Sequence, residues 1–242
     1  MSGKYRGLSL LGADIAQDSW EQAVTKSIIV INPNSNEAVT AGIDAAMEPL
    51  RMQGGPSIRC LTLKEGPPGV QTQHDVESVT LPLVRLAKSL EEEAGAFVIA
   101  CFSDPGLYAV REAVARPVLG IAECGVLTAL TMGQTFGVIA ILKGSISRHL
   151  RIWNAMGVAN RLAGELAIES TVAELADREH TLARMIEVGK RLRDEREADT
   201  IVMGCAGMSP FRGPLQEALG IPVIEPTQAA GAMALGRIQF GW

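Results

Sequence analysis

Two stretches of the chain repeat one another element by element. AFVIACFSDPGLYAVREAVARPVLGIAE runs from Ala96 to Glu123, and TIVMGCAGMSPFRGPLQEALGIPVIEP from Thr200 to Pro226. Each reads as an apolar strand, a cysteine, a small turn, a helix, a Pro-Val step and a second apolar strand. Cysteine and proline are 16 positions apart in the first copy, Cys101 to Pro117, and 17 in the second, Cys205 to Pro222. A fainter echo links Ile28–Ser35 with Val138–Ser145. Parallel strands need a long crossover, usually a helix, so a repeated strand–helix–strand unit points to an α/β fold.

The rest of the pattern agrees. Ser27 to Ile31 is a β-branched strand that ends in the turn Asn32-Pro33-Asn34-Ser35. Asn34 and Glu37 have capping-box spacing, which predicts a helix over 35–50 with Asn34 as its cap. A strand over 57–63, a Gly-Pro loop over 66–69 and a helix over 75–93 follow. In the second half the pattern predicts helices over 122–131, 147–156, 171–197 and 228–237, with strands at 136–141, 200–205 and 223–224. The fold class expected is α/β, two pseudo-symmetric lobes, each a mostly parallel sheet flanked by helices, with the active site in the cleft between them. The boundaries are an N-terminal extension over 1–26, a first lobe over 27–124 completed by a C-terminal helix over 227–242, and a second lobe over 125–226.

Composition removes several classes of function. A net charge of -5 disfavours nucleic acid and anionic membrane, which both demand a basic face. No apolar run approaches the roughly 18 residues of a membrane span. The N-terminus lacks the pattern of a signal peptide, and the cysteines at 60, 101, 124 and 205 form no CxxC pair, so reduced thiols in a cytoplasm are expected. The chain has no GxGxxG after a strand, no GxxxxGK[ST], no HExxH and no GxSxG. Its three histidines are scattered. A cofactor-free, metal-free reaction on a small molecule is the economical reading.

The two repeat cysteines are the candidate chemistry. Each leaves a strand at its carboxyl end, where open α/β sheets hold ligands, and each is read as preceding a helix. Exposed amides of Phe102, Ser103, Ala206, Gly207 and Met208 and the helix dipole would favour a thiolate, with an apparent pKa below the roughly 8.5 of a free thiol for at least one of the two. They would also bind an anionic oxygen. Two thiols facing one cleft make a two-base shuttle: one removes a proton from an acidic carbon, the other delivers one to the opposite face, and the product is the mirror image.

INPNSN (Ile31–Asn36), ACFSDPGL (Ala100–Leu107), PVLGIAE (Pro117–Glu123) and GCAGM (Gly204–Met208) resemble the aspartate/glutamate/hydantoin racemase superfamily, nearest its hydantoin and allantoin racemase branch. The resemblance spans residues 27 to 240. It implies a cofactor-independent racemase with Cys101 and Cys205 as acid and base, a ligand touched by Asn32 and the amides after each cysteine, and a homo-oligomer. The sequence departs from that branch where Ala140-Ile141 stand in place of two threonines, and where Glu225-Pro226-Thr227 stands in place of an Asp-Gly pair. Both bear on the substrate, for which 5-substituted hydantoins, allantoin and acidic amino acids are the candidates.

Other residues carry competing readings. Gln71 and Thr72, after the Gly-Pro loop, are candidate lid residues, with a plain solvated loop as the alternative. Asn32 is a ligand contact or a turn residue. Lys143 and Arg148 would meet a substrate carboxylate, or are exposed charges at a helix start. Asp104 serves its turn, and Cys60 and Cys124 read as core. The alternatives to a racemase are a cis–trans isomerase or a decarboxylase of the same superfamily, or a non-catalytic small-molecule binding protein on the same scaffold.

Overall fold

A computed structural model describes residues 26–170 and 174–242. The expected N-terminal extension, but for Lys26, and the start of the charged helix expected from Thr171 lie outside the described residues. The first sheet is built from β1 (Ser27–Asn32), β2 (Ile58–Thr62), β3 (Ala94–Ile99) and β4 (Val118–Gly120), the second from β5 (Phe136–Ala140), β6 (Leu162–Ala167), β7 (Thr200–Met203) and β8 (Val223–Ile224). All pairings are parallel, and the spatial orders are identical: β2-β1-β3-β4 and β6-β5-β7-β8. The helices are α1 (Glu37–Met47), α2 (Gln73–Ser78), α3 (Thr80–Ser89), α4 (Leu107–Ala113), α5 (Ile121–Leu130), α6 (Lys143–Ala155), α7 (Arg178–Asp194), α8 (Arg212–Leu219) and α9 (Pro226–Phe240). The α/β class with two parallel four-stranded sheets is as the repeat requires.

Strands buried on both faces need apolar residues at every position, which is why SIIVI does not alternate. Ile28 and Val30 point into a central core that also takes Val98, Val138 and Val202, so both sheets contribute to one cluster. Ile29 and Ile31 point the other way, into a core with Phe97, Ile99 and Leu83. The second sheet has its own outer core around Ile139, Met203 and Leu192. Helix α9 packs on β3, α5 and α1.

The elements differ from the sequence expectation in instructive places. The helix expected over 75–93 is two helices, α2 and α3, which meet at Val79. The α1 cap is Asn36, whose side chain accepts from the Ala38 amide, rather than Asn34. The charged helix is shorter than expected and runs over Arg178–Asp194. Strand β6, LAGELA, has no counterpart in the sequence reading. It lies at a sheet edge, is only half-buried, and its one buried position is an acid, Glu165, so neither alternation nor an apolar run signals it.

One close approach ties the first cysteine loop to the sheet. Asp104, at φ 42, turns its carboxylate onto the start of α5, where it accepts from the amides of Ala122 and Glu123, both at 2.9 Å. A Cβ on Gly120 would fall 2.2 Å from the Asp104 carboxyl carbon, so only glycine fits there. Gly120→Ala is expected to cost about 1–3 kcal/mol through overpacking, a fall in Tm of roughly 2–4 °C per kcal/mol for a chain of this size. In an Asp104→Ala background the same change should cost less, because the obstructing carboxylate is gone. Equal costs in the two backgrounds, by thermal unfolding, would show that the carboxylate is not what fills that space.

Candidate active site

In a sheet of order 2-1-3-4 the chain reverses direction of travel between the first and third strands, and crevices open there at the carboxyl ends. Here that happens twice. At β1 and β3 the exits are Asn32-Pro33-Asn34 and Ala100-Cys101; at β5 and β7 they are Ile141-Leu142 and Gly204-Cys205. Equivalent hydrogen bonds hold the two pairs of exits. The Ala100 amide donates to the Ile31 carbonyl at 2.9 Å, and the Gly204 amide to the Ile139 carbonyl at 2.8 Å.

Both crevices open onto one cavity, lined by Cys101 and Cys205, the residues that follow them, Asn34, Gln71, Ile141, Arg148 and His149. The environments of the two thiols are repeated as well. The Gly207 amide donates to the Cys205 sulfur at 3.4 Å, and the equivalent Ser103 amide lies near enough to the Cys101 sulfur to favour its thiolate. The amide three residues on returns to each cysteine carbonyl, from Asp104 at 2.9 Å and from Met208 at 3.0 Å. No described residue accepts from the amides of Phe102 or Ala206, one position after each cysteine, which leaves two donors beside the cavity. The cavity is narrow, about 40 Å³.

The electrostatics run against the sequence expectation of a depressed thiol pKa. Burial pushes Cys101 up to about 12; the Ser103 amide and the Arg148 charge pull it down, while the nearby Cys205 and Asp104 add to the rise. Burial pushes Cys205 up to about 11, with the Gly207 amide lowering it and Glu225 raising it. Desolvation of the charged form outweighs one amide and a helix end. The helix contribution is also smaller than expected. Cys205 does cap a helical turn, Ala206–Phe211, but α4 starts only at Leu107 and is a short helix.

The expected contacts are partly redistributed. Phe102 and Ser103 line the cavity, and so do Ala206 and Gly207. Asn32 is wholly buried, and its amide is used up on Asn34, Asn36 and Thr40, so it holds the turn and does not line the cavity. Asn34 takes the place at the wall. Its Oδ1 accepts from Asn32 and from the Asn36 amide, which leaves its NH2 group as the available donor. Gln71 lines the cavity, whereas Thr72 is exposed and caps α2 in a reciprocal capping box with Asp75. Cys124 is buried in the central core, and Cys60 packs half-buried against it. Ile141, at one of the positions where the racemase branch tends to carry a threonine, makes that wall apolar. Glu225 is buried and caps α9, and also accepts from Ser209 at 3.0 Å.

Helix α6 supplies one residue that the sequence reading weighed, Arg148, and one that it passed over, His149. Arg148 is not an exposed helix-start charge: it is buried, with Nε donating to the Ser103 hydroxyl at 3.1 Å and Nη2 to the Gln71 carbonyl at 3.3 Å. Lys143 is exposed. His149 is buried with Nδ1 at 2.5 Å from Glu165 Oε1 and Nε2 at 3.4 Å from the Ser103 hydroxyl. The Phe102 and Trp153 rings meet edge to face at 5.8 Å, and the Trp153 indole donates to Glu165 at 3.4 Å. A carboxylate only accepts, so His149 donates through Nδ1, and in its neutral form Nε2 accepts from the serine. Helix periodicity alone would have put Arg148 and His149 one turn before the buried Trp153. The absent signal was the acid on β6. Among the described residues no group of three His, Cys, Asp or Glu side chains is placed to hold a metal ion.

The model of the family described as Asp/Glu/Hydantoin racemase matches residues 28–234. The chain belongs to that family. A hydantoin racemase of Paenarthrobacter aurescens is 35% identical over 89% of this chain and 92% of its own length. Among solved structures, an allantoin racemase from Klebsiella pneumoniae superposes with a TM-score of 0.85 at 28% identity, over 89% of each chain. An allantoin racemase from Pseudomonas fluorescens also has a TM-score of 0.85, at 22% identity over 89% of this chain and 92% of its own, a likeness of fold. As a family member the chain is an enzyme of the racemase class, an isomerase. No described helix is long and apolar enough to cross a membrane.

In the ligand-free protein both cavity thiols are expected to be neutral at pH 7. Alkylation by iodoacetamide, followed by mass spectrometry at Cys101 and Cys205, should rise about tenfold per pH unit beyond pH 9, tracking the thiolate fraction. A plateau below pH 9 at either site would mean that the amides and Arg148 prevail over burial.

Proposed function

We propose that this protein is a cofactor-independent racemase of cyclic ureides, 5-substituted hydantoins or allantoin, with Cys101 and Cys205 as the paired acid and base. The observation that carries the reading is the repeated thiol environment: two cysteines at equivalent strand exits, each with an amide near its sulfur, lining one cavity. The names of the curated relatives and of the Klebsiella neighbour support the substrate class.

The ring lies between the two thiols with its acidic carbon toward both. One thiolate takes the proton from one face, and the charge moves onto the neighbouring carbonyl oxygen. The amides of Phe102 and Ala206 and the Asn34 NH2 group are the donors that meet it. The opposite thiol then protonates the other face and is left as the thiolate, ready for the reverse reaction. A thiolate whose conjugate acid is weak is a strong base, which suits a carbon acid. Its scarcity at neutral pH is the corresponding cost. The Arg148 contacts to Ser103 and Gln71 stand at the cavity wall, where an entering ring meets them.

The test is proton exchange by NMR in deuterated water with enantiopure 5-substituted hydantoins and allantoin. Wild type should introduce deuterium at the acidic carbon while optical rotation falls. Cys101→Ser and Cys205→Ser should each abolish racemisation, losing on the order of 10²–10⁴-fold for one acid or base. Exchange should also quicken between pH 7 and 9 as the thiolate fraction grows. Racemisation that survives either substitution unchanged would end the two-thiol reading.

A further inference from the structure

Arg148 holds a positive charge that nothing nearby neutralises directly. It is 7% exposed, yet its two hydrogen bonds go to neutral acceptors, the Ser103 hydroxyl and the Gln71 carbonyl. No carboxylate among the described residues lies within ion-pair distance of it. Asp75 and Glu165 act on it only from a distance, Glu165 being hydrogen-bonded to His149 and not to the guanidinium, and Arg151, one turn on, adds a like charge. Nη1 has no partner among the described residues. Buried charges are ordinarily paired, because the lost hydration is costly and a neutral acceptor returns only part of it.

The guanidinium also stands at a boundary. It lines the cavity of the two thiols, and with Ser103 it lines a second, larger cavity of about 210 Å³. The walls of the second cavity include Val76, Leu107, Ile152 and Met156, with Arg151 at the side. Asp104 and Glu123 also line it, but the first is held by the Ala122 and Glu123 amides and the second is paired with Arg111. A short chain leaving a ring in the first cavity would meet Arg148 at the boundary, with the apolar wall of the second cavity beyond it.

We infer that Arg148 is a specificity-determining residue for an anionic substituent: the preferred substrate is a cyclic ureide whose side chain carries a carboxylate, bound by this guanidinium where the two cavities meet. The inference rests on the ring-racemase reading for its scaffold and adds the charge of the ligand. Arginine suits the role, since its planar fork pairs two nitrogens with a carboxylate while remaining charged in a dry site.

The experiment compares two nearly isosteric ligands, 5-(2-carboxyethyl)hydantoin and its carboxamide, by calorimetry and by deuterium exchange, on wild type, Arg148→Gln and Arg148→Lys. Wild type should bind the carboxylate about tenfold or more tightly than the amide, the expected margin for a hydrogen-bonded charge over a neutral pair. Arg148→Gln should collapse that ratio, and Arg148→Lys should restore part of it. In the exchange assay the change should fall on KM for the carboxylate more than on kcat. Equal binding of the two ligands by wild type would overturn the inference, and so would a ratio unchanged by Arg148→Gln. A substitution that lowers kcat alike for both ligands would instead make Arg148 an aid to the Cys101 thiolate. Inorganic phosphate and acetate serve as ring-free anions; tight binding of either alone would assign the guanidinium to a free anion and overturn the substrate assignment. Preferential binding of the carboxylate with no exchange on any ring would leave Arg148 as the residue that binds the carboxylate, and would end the racemase reading and with it the ligand's standing as substrate.

Discussion

Two backbone hydrogen bonds, Ala100 to Ile31 and Gly204 to Ile139, fix where everything at the cavity can be. Each clamps the exit of a third strand beside the exit of a first strand, and the next residue in each case is a cysteine. The clamp is possible because both sheets are parallel, with the same strand order, and are buried on both faces. A slip of one residue at either ladder would turn a cysteine from the cavity into the core. The central cluster shared by both sheets then holds the two exits at a common seam without any covalent link.

Placing reactive groups at such a seam sets burial against reactivity. Desolvation holds both thiols neutral and leaves the Arg148 charge poorly compensated, while the same exclusion of water strengthens every dipole aimed into the space. The protein keeps the arrangement with donors drawn mainly from the main chain. The Ser103 and Gly207 amides lie near the sulfurs, and Phe102 and Ala206 keep free amides beside them. Main-chain donors lose no rotamer freedom when a ligand arrives, unlike a long side chain such as Arg148.

How much of this could be read from the chain itself follows from how local each signal is. The internal repeat showed the α/β class and both cysteines, because strand, thiol, turn and proline recur at nearly fixed spacing over short distances. The asparagine turn was visible as a turn, but the roles of Asn32, Asn34 and Asn36 depend on which side chain reaches which amide, and INPNSN offers three nearly equivalent candidates. Arg148 and His149 were missed as a pair for a different reason. Their meaning comes from Ser103, 45 positions away from Arg148, and from Glu165 on a strand that carries no strand-like pattern. Burial likewise reversed the expected acidity of the thiols, since a motif shows which groups are adjacent in sequence and says nothing of how much water surrounds them.

The two halves of the cavity are alike in backbone and unlike in side chains. Around Cys101 stand Phe102, Arg148 and His149; around Cys205 stand Gly207 and, behind it, Glu225. A reaction that interconverts mirror images has an equilibrium constant of unity in water, whatever the catalyst. Unequal walls therefore cannot favour one enantiomer at equilibrium, nor make kcat/KM differ between them. They can only divide the same quotient differently, so that one hand is held more tightly and turned over more slowly by the same factor. The asymmetry built by Arg148 and Glu225 is in that sense free to serve recognition of the substituent without biasing the direction of the reaction.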